Sequence, residues 1–135
     1  MMKRILFVCI ENACRSQMAE AFARRYGREA VAVYSAGSRP SGKIDPKTVE
    51  AMWEVGYDLT KHTSKSLREI PDIEYDAVIT MGCGDECPMV KAKHREDWAI
   101  PDPKHWPIDQ FREVRNRIEQ KVQGLLESLK ITSPL

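Results

Sequence analysis

The residues best equipped for chemistry are Cys9 and Arg15, in the stretch Cys9-Ile10-Glu11-Asn12-Ala13-Cys14-Arg15-Ser16. An apolar run, Ile5-Leu6-Phe7-Val8, comes directly before it. Cys9 therefore stands where a buried strand should end, and Arg15-Ser16 where a helix should begin. The loop between them is long enough to wrap backbone N–H groups around a tetrahedral oxyanion. A helix N-terminus concentrates unpaired N–H donors and partial positive charge, so it attracts phosphate-like anions. The same field favours a nucleophilic thiolate. Arg15 adds a planar fork that can hold two anion oxygens. Together these parts suit in-line attack on phosphate or arsenate. Asn12 is expected to hold the loop open through backbone hydrogen bonds. Ser16 is expected to donate to the Cys9 sulfur, to cap the helix, or both. Cys14 has no chemical task in this scheme and reads as packing. Glu11 is harmless if it faces solvent and repels the anion if it faces the loop.

A second pair of thiols, Cys83 and Cys87, lies in Met81-Gly82-Cys83-Gly84-Asp85-Glu86-Cys87-Pro88. Gly82 and Gly84 predict a pliable loop, as a thiol–disulfide relay requires. Two other readings stay open here: a zinc site adding His94 or His105, or two incidental thiols. Further on, Ile100-Pro101-Asp102-Pro103 offers a carboxylate that is either a general acid or part of an ordinary Asp-Pro turn.

These groups need a scaffold to converge. Ile5 to Cys9 reads as a buried parallel strand, and Ser16 to about Tyr26 as a helix stopped by Gly27. A second strand follows at Val31 to Ser35. Asp45-Pro46 opens a helix that turns Val49, Met52 and Trp53 inward, and Ser64 starts a short one through Leu67 and Ile70. Asp76 to Met81 is the third strand. A long polar loop, Gly82 to Asp97, leads to a short fourth strand at Trp98 to Ile100. The last helix runs from about Ile108 to Leu129 on the stripe Ile108, Phe111, Val114, Ile118, Val122, Leu125 and Leu129. Alternating strand and helix predict one α/β domain over residues 1–135: a three-layer fold with a four-stranded parallel sheet and helices on both faces. Ligands of such sheets bind beyond the strand carboxyl ends. Cys9, Ser35, Met81 to Cys83 and Asp102 all follow strand ends, so they should share one site.

The bulk properties agree with a small enzyme. The 21 basic and 20 acidic side chains nearly cancel, to a net charge of +1, which disfavours a nucleic-acid or membrane-surface role. The early apolar run is too short for a signal peptide and no stretch is long enough for a bilayer. A cytoplasmic monomer is expected, with its four cysteines kept reduced rather than locked as a framework.

The Cys-x5-Arg-Ser loop resembles that of the low-molecular-weight tyrosine phosphatases, and the run through Ser16-Gln17-Met18-Ala19-Glu20 is most similar to the arsenate reductases sharing their fold. Those reductases also carry two cysteines after the third strand, the second followed by proline. The resemblance implies an arsenate reductase of the arsenical-resistance type, with Asp102 as general acid and a Cys9/Cys83/Cys87 disulfide relay. It implies no metal and no tightly bound cofactor. An external thiol protein, thioredoxin, would restore the cysteines. The alternatives are a phosphatase working through a Cys9 phosphocysteine and a non-enzymatic redox or metal sensor. His62-Thr63-Ser64-Lys65 resembles a stretch that helps hold potassium in some relatives, which carry Asp in place of Lys65. An ammonium cannot ligate a cation, so Lys65 is expected to be a solvated side chain or to supply the ion's charge.

Overall fold

The computed structural model describes residues 2–82 and 90–131. Four parallel strands form one sheet in the order β2-β1-β3-β4: β1 (Lys3–Cys9), β2 (Val31–Gly37), β3 (Tyr75–Thr80) and β4 (Ala92–Asp97). Among the described residues three α-helices accompany them, α1 (Arg15–Gly27), α2 (Pro46–Trp53) and α3 (Ile108–Ser128). Side chains of a strand alternate between faces, and β1 does so here. Ile5, Phe7 and Cys9 join the large core beneath the helices, while Leu6 and Val8 join a smaller one on the other side.

The two faces are covered differently. The buried apolar side chains of α1, α2 and α3 belong to the large core. Among the described residues, the second face is covered by the segment bearing Leu67, Ile70 and Ile73. That segment contains a 3₁₀ turn at Leu67–Glu69, closed by a reciprocal Ser66/Glu69 capping box. The turn begins after Ser66 and not at Ser64. Ser64 donates instead to the Glu11 carbonyl at 2.9 Å, so its hydroxyl braces the Cys9 loop.

The fourth strand also differs from expectation. It is Ala92–Asp97, within the stretch read as a polar loop, and Trp98 to Ile100 follow it. β4 is an edge strand paired to β3 from Tyr75↔Ala92 to Thr80↔Asp97. Its Lys, His, Arg and Glu side chains are those of a sheet border that resists further pairing, and an apolar pattern cannot reveal it. Trp98 and Ile100 remain core residues, with the Trp98 ring 5.9 Å from that of Phe7. They anchor the chain just before Asp102.

In α2, Thr48, Ala51 and Met52 are buried, whereas Trp53 is 67% exposed. Trp53 lies three positions after the exposed Glu50 and so shares its outer face of the helix. The α3 stripe is buried from Phe111 to Leu125. Arg115 ties α3 to α2, donating to Ala51 O and Glu54 Oε1, each at 2.9 Å.

Candidate active site

Cys9 ends β1 and Arg15 opens α1, with Cys14 at the N-cap position. Ser16 therefore lies in the first turn, not at the cap. The carbonyls of Cys9, Ile10, Glu11 and Ala13 accept from the amides of Ser38, Arg39, Ser41 and Asp45 at 2.8–3.4 Å. In a trans peptide the N–H points opposite to its carbonyl. The amides of Ile10, Glu11, Asn12 and Cys14 are thus turned away from the 38–45 segment, the arrangement of an anion nest. Gly37 makes this packing possible. A Cβ there would lie 2.6 Å from Ile10 O and 3.0 Å from Asn12 N.

Asn12 is the keystone of the loop. It is fully buried at φ 53°, a left-handed conformation that asparagine tolerates better than most residues. Its Oδ1 accepts from Gln17 Nε2 and Lys65 N, both at 2.9 Å. Its Nδ2 donates to Ser16 Oγ at 2.7 Å, and Ser16 Oγ lies 2.8 Å from Cys9 Sγ. The Asn12 N–H already occupies one side of that oxygen, so the Ser16 hydroxyl hydrogen is free to donate to sulfur.

Arg15 is only 5% exposed. It donates through Nη1 to Ile100 O at 3.0 Å, and its Nη2 lies 3.6 Å from Asp102 Oδ2. Gly82, at φ 75°, approaches so closely that a Cβ would fall 2.9 Å from Arg15 Nη1. Asp102 is held on its other oxygen by the Lys104 amide at 3.1 Å. Cys9, Glu11, Ala13, Cys14, Arg15, Asp45, Asp102 and Lys104 line one cavity of about 20 Å³. The Cys14 thiol is pushed up to about 12, chiefly by burial, which makes it a packing group at neutral pH.

Behind the loop lies a second polar cluster. The Glu20 carboxylate is buried and bonds Ser35 Oγ at 2.5 Å and Arg24 Nε at 2.8 Å. His62 Nδ1 lies 3.6 Å from it and Lys65 Nζ 3.9 Å. Gln17 joins this cluster to the loop, since its Nε2 donates to Asn12 and to Thr63 O. Gln17 Oε1 must then accept from His62 Nδ1 at 3.1 Å, so Tyr57 OH donates to His62 Nε2 at 2.8 Å. Burial holds His62 below its usual value, in keeping with this neutral tautomer. Lys65 is not the solvated side chain expected: it donates to Thr63 O at 3.0 Å and is about a quarter exposed. With an ammonium already between Thr63 O and Glu20, these residues do not fit a potassium ion.

Cys9, Arg15 and Asp102 line that cavity, Ser16 and Asn12 adjoin Cys9, and Ser35, His62 and Thr63 belong to the cluster behind the loop. Cys83 and Cys87 lie outside the described residues. Among the described residues no group of three or more His, Cys, Asp or Glu could hold a metal, and no helix is long and apolar enough to cross a membrane. Gln17, Glu20 and Lys104 were not singled out from the sequence. Gln17 and Glu20 sit on the α1 face shared with Ser16, where a polar residue at a buried position marks a buried network.

The model of the low molecular weight phosphotyrosine protein phosphatase family matches residues 4–134. The chain belongs to that family. Among its relatives, a glutaredoxin arsenate reductase of Synechocystis sp. is 37% identical over 131 residues, covering 95% of this chain and 99% of the relative. An arsenate reductase of Staphylococcus haemolyticus is 38% identical over 132 residues, with 94% and 97% covered. A solved arsenate reductase in its phosphate-binding state superposes with a TM-score of 0.87 at 37% identity, covering 97% of this chain and all of that one. A thioredoxin-dependent arsenate reductase of Corynebacterium glutamicum superposes at 0.78 with 34% identity, covering 96% of this chain and 62% of that one. This member of the phosphatase family thus resembles arsenate reductases from end to end.

Proposed function

We propose that the protein is an arsenate reductase that uses Cys9 as nucleophile and Cys83 and Cys87 as a disulfide relay. The observation that carries this reading is the convergence of Cys9, Arg15 and Asp102 on one cavity in a chain similar to arsenate reductases over nearly its full length.

Arsenate is received by the loop amides and Arg15. The fork of Arg15 is pinned by Ile100 O and Asp102 before the ligand arrives, so little ordering is needed on binding. Its buried Nε has no acceptor among the described residues, and an oxyanion oxygen can supply one. Cys9 Sγ, supported by Ser16, attacks arsenic while Asp102 protonates the departing oxygen, which leaves as water. Cys83 thiolate then attacks Cys9 Sγ. The new S–S bond forms as the S–As bond breaks, and that electron pair stays on arsenic, reducing arsenate to arsenite. Cys87 attacks Cys83, frees Cys9 and leaves a Cys83–Cys87 disulfide. Two thiols are oxidised for each two-electron reduction of arsenic. A dithiol protein, thioredoxin, then restores the pair.

The alternative is a phosphatase, favoured by the family match itself. It would use Cys9, Arg15 and Asp102 through a phosphocysteine and would need neither Cys83 nor Cys87. Arsenite release is measured with NADPH and thioredoxin with its reductase, beside a parallel assay with glutathione and glutaredoxin. Turnover with thioredoxin, lost in Cys83→Ser and Cys87→Ser, is expected. Turnover with glutaredoxin alone contradicts the thioredoxin assignment. Aryl phosphate hydrolysis indifferent to both variants, with no arsenite released, contradicts the reductase.

A further inference from the structure

Glu11 places a carboxylate on the oxyanion loop, two residues from Cys9, where it would oppose the binding of an anion. The structure shows what meets it. Lys104 Nζ donates to both Glu11 oxygens, at 2.8 and 2.6 Å, across the mouth of the cavity. Both side chains line that cavity with Cys9, Arg15 and Asp102. The lysine is 40% exposed and the glutamate 32%, so the pair faces the route by which an anion enters. The backbone of the same lysine holds the general-acid candidate, through the Lys104 N–H to Asp102 Oδ1.

The cavity's other charges leave little cation to spare. Asp45 and Asp102 add two carboxylates, and Arg15 is partly committed to Asp102. With Lys104 removed, three carboxylates would face one guanidinium. With Lys104 present, the lining falls to one net negative charge, since two cations then meet the three carboxylates.

We propose that Lys104 is the charge-compensating residue of the oxyanion site, cancelling Glu11 so that a dianion can enter, and that the pair sets the site's preference for anion charge. This inference rests on the loop around Cys9 being the oxyanion site. A bridge that merely strapped two loops together would behave differently, because cutting it from either end would do the same harm. A compensated charge gives effects of opposite sign.

The test is inorganic phosphate binding to the reduced full chain, by calorimetry at low salt, for wild type, Lys104→Met, Glu11→Gln, the double variant and Lys104→Arg. Lys104→Met should weaken binding about tenfold, and Glu11→Gln should strengthen it about threefold. The double variant should lie within about threefold of wild type, and Lys104→Arg should bind as wild type does. The loss in Lys104→Met should shrink as salt rises. It should also shrink at lower pH, where phosphate carries one charge. Weakening by both single variants, or no change in either, overturns the inference and leaves the oxyanion site standing. Failure of wild type to bind phosphate overturns the oxyanion site itself, and the inference with it.

Discussion

Asn12 Nδ2 donates to Ser16 Oγ at 2.7 Å, and this bond decides what Ser16 can do. With one lone-pair side of the oxygen occupied, the hydroxyl hydrogen points to Cys9 Sγ, 2.8 Å away. A hydrogen bond to a thiolate favours the charged form. Replacing Ser16 with Ala should slow alkylation of Cys9 by iodoacetamide at neutral pH about tenfold, the scale of one charge-assisted hydrogen bond. An unchanged rate would show that sulfur and hydroxyl do not cooperate.

Arg15 should resist conservative replacement. Its guanidinium bonds Ile100 O and faces Asp102 while buried beside the loop. Lysine offers a point charge on a flexible stem and cannot keep both contacts and a bidentate grip. Arg15→Lys should weaken phosphate binding about 100-fold with the near-ultraviolet circular dichroism unchanged. Affinity within a few-fold of wild type would place the anion elsewhere.

Asp102 is poised but not buried, with its side chain 42% exposed. As a general acid it should matter to the first chemical step and little to binding. Asp102→Asn should lower arsenate turnover by roughly 10²–10⁴-fold and leave phosphate affinity nearly unchanged. If affinity falls as far as turnover, its main task is to orient Arg15.

His62 makes stability depend on pH. Burial depresses its folded value below the usual 6.5, so the unfolded chain takes up a proton before the folded one does. The stability contributed by neutral His62 is complete above 6.5 and is lost as pH falls through its depressed folded value. Urea midpoints between pH 7.5 and 5 should therefore fall in wild type and fall less in His62→Gln, which keeps a donor and an acceptor. Parallel curves would mean that the ring takes up its proton as readily folded as unfolded.

The parts legible in the sequence are those in which one element carries the whole signal. Ile5 to Cys9 announces a buried strand by composition alone, Cys9 is the last residue of that strand, and Arg15 follows it across one short loop. What escaped is relational. β4 is polar because it borders the sheet, so only its pairing with β3 identifies it. Trp53 is outside because it falls on the α2 face of Glu50, away from that of Thr48, Ala51 and Met52. Glu20 also meets Ser35, 15 positions on, Lys65 meets Glu20, 45 positions back, and Lys104 meets Glu11, 93 positions back, and no local pattern encodes such contacts.

The central claim is that Cys9, Cys83 and Cys87 act in sequence on one arsenate. The most direct measurement is a free-thiol count on fully reduced protein before and after one equivalent of arsenate, without external thiols, with peptide mapping of any disulfide. Loss of two thiols per chain, with the bridge mapped to Cys83–Cys87, is the predicted result. No loss of thiol, alongside hydrolysis of an aryl phosphate by the same sample, would contradict the relay and leave Cys9 the nucleophile of a phosphatase.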